Sequence, residues 1–316
     1  MRKVSIATRG SRLALQQTGY VQRRLNDRYP DLAVELIIIK TKGDLFLDAP
    51  LAKIGGKGLF VKEIEETILS GKADFAVHSV KDMPVSLPQG LILGVVPARE
   101  DPADYLLSTR YASLELLPAA ARVGTSSLRR TAQLLSLRPD LQICSLRGNV
   151  ETRLRKLNDG LFDAIILAGA ALKRLGLFAP FQNELSTQYF LPAPGQGALG
   201  IEYLRERRDL AELLAFLEHY PTRLCVEAER AFLSALDGNC QTPIGALALL
   251  EQNRSGAGLL TLDGLVATVS GKKILRASLS CRPENPEQAA RLGAELALSI
   301  KKAGGTEILI EINQLG

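Results

Sequence analysis

Asp82 stands directly after Lys81 and two residues before Pro84, where the strand predicted over residues 74–77 gives way to His78 and Ser79. A carboxylate at the mouth of a strand, followed by a proline that forbids further helix or ladder, is held where a ligand meets it. On spacing alone, an ordinary solvated turn is the simpler reading. Guanidinium groups recur in comparable places. Arg9 and Ser11 flank the start of a helix predicted over residues 12–28, where free backbone N–H groups favour an anion. Arg129 and Arg130 fall in the first turn of a helix predicted over residues 128–137, behind Gly124-Thr125-Ser126-Ser127. Their charge there opposes the helix dipole, so an external anion is the expected compensation. Arg147 precedes Gly148-Asn149, Arg153 and Arg155 lie on the following helix, and Lys173 and Arg174 lie on a short one closed by Gly176. Arginine forks suit carboxylates and phosphates, although pairing with the 34 acidic residues is an alternative.

Cys240 lies in Asp237-Gly238-Asn239-Cys240-Gln241-Thr242, a turn-chemistry loop, which sets it apart from an inert core thiol. With His78 and His219 as the only histidines, a cysteine–histidine hydrolase has little to stand on. The other three cysteines, Cys144, Cys225 and Cys281, share no C-x-x-C spacing with it, which argues against a zinc site and a disulfide scaffold and leaves no metal expected. The chain reads as cytoplasmic with free thiols. It has 316 residues, 46% hydrophobic and 23% charged, with a net charge of +5 and 5% aromatic residues. No apolar window spans a bilayer, Met1-Arg2-Lys3 lacks the apolar stretch of a signal peptide, and neither a basic run nor a stacking platform supports nucleic-acid binding. An anionic small molecule is the better partner.

At this length two or three domains of about 100 to 150 residues are expected. Alternating apolar runs and helical periods place strands at residues 4–8, 34–39, 74–77 and 91–96, the second of them suited to burial on both faces of a parallel sheet. Residues 41–58 end in Gly55-Gly56-Lys57-Gly58 and read as a mobile flap carrying Lys53 and Lys57. Residues 97–102 mix two prolines with three charges and mark a crossing between domains. The pattern then restarts, with a helical stretch near Leu114 and strands near 105–107, 122–123, 141–146 and 163–167. Pro192, Pro194, Gly195 and Gly197 mark a second crossing, followed by helices over 206–220 and 223–236, a small sheet within 247–279 and a helix over 286–303.

Laid out this way, the chain resembles the porphobilinogen deaminases, also called hydroxymethylbilane synthases. The resemblance rests on Ala7-Thr8-Arg9-Gly10-Ser11-Arg12, Gly55-Gly56-Lys57-Gly58-Leu59-Phe60, Val77-His78-Ser79-Val80-Lys81-Asp82-Met83-Pro84, Gly124-Thr125-Ser126-Ser127-Leu128-Arg129-Arg130, Arg147-Gly148-Asn149, Pro194-Gly195-Gln196-Gly197 and Cys240-Gln241-Thr242-Pro243. Asn239 stands where the family usually has glycine, a residue that tolerates left-handed backbone. The resemblance implies an α/β fold of two doubly wound, periplasmic-binding-protein-like lobes, residues 1–97 with 198–218 and residues 101–195, plus an α+β domain over 221–316 that carries the cofactor cysteine. It also implies a transferase that joins four porphobilinogen molecules head to tail, releases ammonia and yields hydroxymethylbilane, as a monomer with no membrane or nucleic-acid partner. The implied cofactor is dipyrromethane, thioether-linked to Cys240.

By the same resemblance Asp82 is the catalytic group. Ser79, Lys81, Thr125, Ser126, Arg129, Arg130, Arg147 and Gly148 bind cofactor, and Arg9, Ser11, Arg153, Arg174, Gln196, Lys53, Gly56 and Phe60 bind substrate. Pyrroles bearing acetate and propionate explain the number of arginines. Two alternatives keep part of this. A non-catalytic two-lobed anion-binding module explains the lobes and arginines but leaves Cys240 idle, and a thiol-dependent transferase of another substrate keeps Cys240 but not Asp82.

Overall fold

The computed structural model describes residues 3–41, 61–239, 241–252 and 258–315. The chain opens with β1 (Lys3–Arg9), α1 (Arg12–Arg28), β2 (Ala33–Ile39), α2 (Lys62–Leu69), β3 (Phe75–Ser79) and β4 (Leu91–Val95). It continues through β5 (Asp104–Ser108), β6 (Arg122–Gly124), α3 (Leu128–Leu137), β7 (Gln142–Cys144), α4 (Val150–Asn158), β8 (Ala164–Ala168), α5 (Gly169–Leu175) and β9 (Phe181–Leu185). β10 (Leu199–Leu204), α6 (Arg208–Leu214), α7 (Tyr220–Ala235), β11 (Ile244–Gln252), β12 (Gly258–Ala267), β13 (Ile274–Cys281), α8 (Pro286–Ile300) and α9 (Thr306–Leu315) complete it. Two compact units result, Met1–Glu100 with Ala198–Arg223 and Asp101–Gly197 with Leu224–Gly316. Among the described residues no helix is long and apolar enough to cross a membrane.

The first unit is built on a five-stranded sheet, order β2-β1-β3-β10-β4, in which β1, β2 and β3 run parallel and β10 runs antiparallel to both neighbours. Side chains alternate faces along each strand. Ile6, Phe75, Val77, Ile201 and Tyr203 therefore form one core with Val21 and Leu25 of α1, while Ala7 and Ala76 meet Ile64 and Ile68 of α2 on the other face. β2 departs from the expectation of burial on both faces. It is an edge strand with one neighbour, and Ile38 is 58% exposed.

The second unit holds two sheets. One repeats the first unit's plan, order β7-β6-β8-β5-β9, with β6 parallel to β7 and β8, and β5 antiparallel to β8 and β9. The helical stretch expected near Leu114 does not form. Leu114 and Leu117 turn into the core, and the Arg138 guanidinium donates to both of their carbonyls, supplying bonds a helix would have made internally. The other sheet is antiparallel, order β11-β12-β13, and shares a core with α7 and α8 around Phe232, Leu262 and Leu296.

Two further boundaries differ from expectation. The helix expected over 206–220 stops at Leu214, because His219 N–H donates to Val96 O while Glu218 Oε2 accepts from Val96 N, tying the chain to the end of β4. The last helix does not end near Lys302. It widens over Lys301–Gly305, with Gly304 at φ 103°, and resumes as α9.

Candidate functional site

In the first unit the carboxyl ends of β1 and β3 carry the chemistry. β3 stops at Ser79, and Val80–Asp82 makes a single 3₁₀ turn closed by Met83 N–H to Val80 O. That turn presents Asp82 to solvent beside Lys81. Ser11 caps α1 by accepting from Ala14 N at 3.3 Å. The amide of Gln17, inside α1, donates to Ser79 Oγ at 2.6 Å and fixes that hydroxyl. Arg9, Ser11, Gln17, His78, Ser79 and Asp82 line one concavity.

Gln17 and His78 are the members of this group that sequence reasoning missed as site residues. Gln17 had a faint signal, a polar residue on the apolar side of a helix, and His78 lay inside the motif but was read only as part of it. Behind His78 sit two more buried groups. Glu65 of α2 is 6% exposed, Glu202 of β10 is fully buried, and His78 Nε2 lies 3.0 Å from Glu202 Oε2. Burial pushes the Glu65 carboxyl up to about 7, Glu202 adding to the rise and His78 opposing it. A carboxyl raised in the folded state contributes full stability below its ordinary value of 4.5 and loses that contribution as pH rises to about 7. Glu65→Gln is therefore expected to match the wild type in urea unfolding at the acid end of this window and to exceed it by about 1 kcal/mol above it. Equal stabilities at both ends would show that Glu65 titrates normally.

In the second unit the corresponding ends are those of β6 and β7. Thr125 N–H donates to Cys144 O at 2.9 Å, joining the two loops, and Thr125 Oγ1 accepts from Ser127 N at 3.2 Å. Ser127 caps α3 by accepting from Arg130 N. Ser126 Oγ donates to Leu146 O at 2.9 Å, accepts from Leu146 N and lies 3.0 Å from Ser145 Oγ. Gly148 has φ 110°, and a Cβ there would come within 2.7 Å of Thr152, so glycine is required where the Arg147 loop turns into α4. Asn149 caps α4 by accepting from Thr152 N, Arg153 Nε donates to Gly148 O at 2.8 Å, and Lys156 Nζ donates to Arg147 O. Thr125, Ser126, Arg147, Gly148 and Arg153 thus share two bonded loops.

Arg129 and Arg130 have a different setting from the one expected. The anion that compensates them is internal. Arg129 Nη2 lies 2.8 Å from Asp104 Oδ2 and Arg130 Nη2 lies 2.6 Å from Asp104 Oδ1, with all three groups buried. Arg129 also donates to Leu191 O, Arg130 to Ile166 O, and the Gln196 amide to Asp104 Oδ1 and Pro102 O. Burial alone would push the Asp104 carboxyl up, but the two guanidiniums hold it well below the usual carboxylate range. Asp104→Ala leaves two buried cations without their anion and should cost about 3 to 5 kcal/mol, read as a lower urea midpoint at unchanged slope. A loss within experimental error would mean that water replaces the carboxylate.

Arg174, at the end of α5, lies outside the two loops and donates to Gly197 O at 2.8 Å. Lys53, Gly56, Phe60 and Cys240 lie outside the described residues. Next to Cys240, Asn239 Oδ1 accepts from Gln241 N at 2.7 Å, an Asx turn that glycine cannot make. Among the described residues of this loop the left-handed backbone falls at Asp237, φ 54°, two residues before Asn239.

Comparison with known proteins divides the chain differently from the two compact units, separating the stretch that holds both five-stranded sheets from the one that holds the antiparallel sheet. Residues 4–212 match a family model described as porphobilinogen deaminase, dipyromethane cofactor binding domain, and residues 223–302 match one described as porphobilinogen deaminase, C-terminal domain. A porphobilinogen deaminase of Nitratidesulfovibrio vulgaris (strain Miyazaki F) is 54% identical, covering 99% of this chain and 98% of that one. One of Lawsonia intracellularis is 51% identical over 100% of both chains, and one of Chromobacterium violaceum is 51% identical over 99% of this chain and 98% of that one. Among solved structures, a probable amino-acid ABC transporter extracellular-binding protein of Bacillus subtilis superposes with a TM-score of 0.42 at 10% identity, covering 69% of this chain and 90% of that one.

Proposed function

The chain belongs to the porphobilinogen deaminase family, transferases of tetrapyrrole biosynthesis, and on that premise we propose how its residues join four porphobilinogen molecules head to tail, with loss of ammonia from each, before one water hydrolyses the finished chain from its cofactor to give hydroxymethylbilane. The observation that carries this is a carboxylate, Asp82, on a short turn in a concavity that also holds Arg9, Ser11 and Ser79. Arg9 and Ser11 suit the acetate and propionate of a pyrrole, and Asp82 suits its N–H. Loss of ammonia from the aminomethyl group leaves a cation conjugated with the pyrrole nitrogen, which Asp82 stabilises. The same carboxylate oxygens take the proton shed from the pyrrole carbon as the new bond forms. A non-catalytic anion-binding module leaves this group without a task.

The family's first domain binds dipyrromethane. The donor set at the ends of β6 and β7 fits a group bearing carboxylates: a hydroxyl at Thr125, a guanidinium at Arg147, and a turn at Gly148 that admits no side chain, on a loop that Ser126 ties down through Leu146 N and O. Arg129 and Arg130 serve it as the buried base of that wall, through Asp104. Ser79 and Lys81 are the first unit's cofactor donors and Arg153 and Arg174 the second unit's substrate donors, Gln196 holds Asp104 with an amide already given to it and to Pro102 O, and Lys53, Gly56 and Phe60 bind substrate. Dipyrromethane, held by a thioether to Cys240, supplies the free pyrrole carbon from which the chain is extended.

Incubation of the purified protein with porphobilinogen tests the activity. Four ammonia molecules per linear tetrapyrrole are expected. Porphobilinogen left unconsumed by a folded, fully loaded protein would rule the activity out.

A further inference from the structure

Three ionisable side chains converge on the face of the first unit's sheet that α2 covers. β3 and β10 pair with His78 opposite Gly200 and Ala76 opposite Glu202, so His78 and Glu202 are diagonal neighbours on one face. Glu65 reaches that face from α2, among Ile64, Ile68, Ala7 and Ala76. His78 and Glu202 stand at ion-pair distance, 3.0 Å, without the alignment of a hydrogen bond. Among the described residues no donor is aligned on either Glu202 oxygen or on Glu65 Oε1. Two carboxyl groups buried with so few donors are costly, and apolar side chains like their neighbours would serve stability better. His78 alone of the three also lines the concavity that holds Asp82 and Arg9.

We propose that Glu65, His78 and Glu202 form a proton-holding cluster that sets the charge beneath the Asp82 concavity, and through it the affinity for a carboxylate-bearing substrate. His78 is the positioning residue that carries this charge to the concavity wall. The proposal rests on the reading of the site given above. With its proton the cluster carries one negative charge fewer than without it. Losing the proton as pH rises through about 7, where Glu65 titrates, adds negative charge under a site that must accept acetate and propionate. KM therefore rises, while kcat, which depends on stabilising a cation, does not fall with it. Among the described residues the other ionisable groups near the cluster are Glu66 on α2, Arg9 at the end of β1 and Asp82 on the turn after β3, and β4, Leu91–Val95, brings none.

Two measurements on the full chain decide it. In steady-state kinetics with porphobilinogen from pH about 6 to about 8.5, the wild-type KM should rise about fivefold and that of Glu65→Gln should stay flat. In ¹³C spectra of protein labelled at its glutamate carboxyls, one resonance should titrate near neutrality, vanish in Glu65→Gln and move in His78→Gln. A KM rise that persists in Glu65→Gln overturns the proposal, as does a spectrum in which no glutamate titrates above the ordinary range. If Glu65→Gln does not fold, Glu202→Gln must shift the same resonance and the same KM profile, and failure to do so overturns it equally. Wild-type protein without turnover would refute the transferase activity instead, and the carboxyl titration would still decide whether the proton is shared.

Discussion

Asp82→Ala is expected to lower turnover of porphobilinogen by about 10³-fold while leaving the fold and the cofactor's mass in place. The size follows from the charge it removes. One carboxylate about 4 Å from a developing cation, at an effective dielectric near 20, is worth on the order of 4 kcal/mol, and the full amount counts toward rate only if the charge appears in the transition state. Departure of ammonia creates that charge, so kcat should fall more than KM rises. The fold should tolerate the change because the turn that presents Asp82 is closed by backbone, Met83 N–H to Val80 O, and because Asp82 is exposed. Asp82→Glu separates charge from reach. It keeps the carboxylate and moves it by one methylene, and partial recovery is expected. Turnover within a few-fold of wild type in folded Asp82→Ala would remove the carboxylate from the chemistry.

The parts of this molecule legible in its sequence are those set by local chemistry. Ser11, Ser127 and Asn149 each accept from the amide three residues on, and the helices behind them begin as Thr125-Ser126-Ser127 and its counterparts imply. The positions of Arg9, Asp82 and Arg147 at strand ends are read from the same periodicity, because a strand followed by a turn residue puts the next polar side chain on the sheet's carboxyl edge. What escaped depends on partners far along the chain. Asp104 lies 25 residues from Arg129, so helix-dipole reasoning looked for an external anion where an internal one was waiting. β2 is as apolar as a central strand, and only the sheet order makes it an edge. The break between α6 and α7 is dictated by Val96, more than a hundred residues earlier. Glu202 was hidden for the same reason. A single charge in Leu199–Leu204 has no meaning until β10 is laid against β3 and α2 is laid over both.

The other large effect is expected at Cys240. Cys240→Ala should yield a folded protein whose intact mass is that of the bare polypeptide and whose turnover is essentially nil. A thioether forms when a thiolate sulfur replaces the amine on a pyrrole's methylene carbon, so attachment requires a sulfur that ionises and is reached by the substrate. The remaining cysteines fit this poorly. Cys225 is buried in the core shared by α7, α8 and the antiparallel sheet, and burial, with Glu295 adding to it, pushes the Cys281 thiol up. Cys144 lies on β7, with its thiol turned to the Gln142 carbonyl. Cys240 is set instead in a loop whose flanks are built to hold one shape: Asp237 in left-handed backbone, Asn239 closing an Asx turn on Gln241 N, and Thr242 Oγ1 accepting from Asn239 N. Because those bonds use backbone and the Asn239 and Thr242 side chains, alanine at 240 leaves them intact, and loss of the adduct cannot be blamed on a collapsed loop. Asn239→Gly supplies the converse test, removing the Asx turn while keeping the thiol, and the adduct should persist with slower loading. A Cys240→Ala protein that still carries the mass of two linked pyrroles would move the attachment to another side chain and, with it, the origin from which the tetrapyrrole grows.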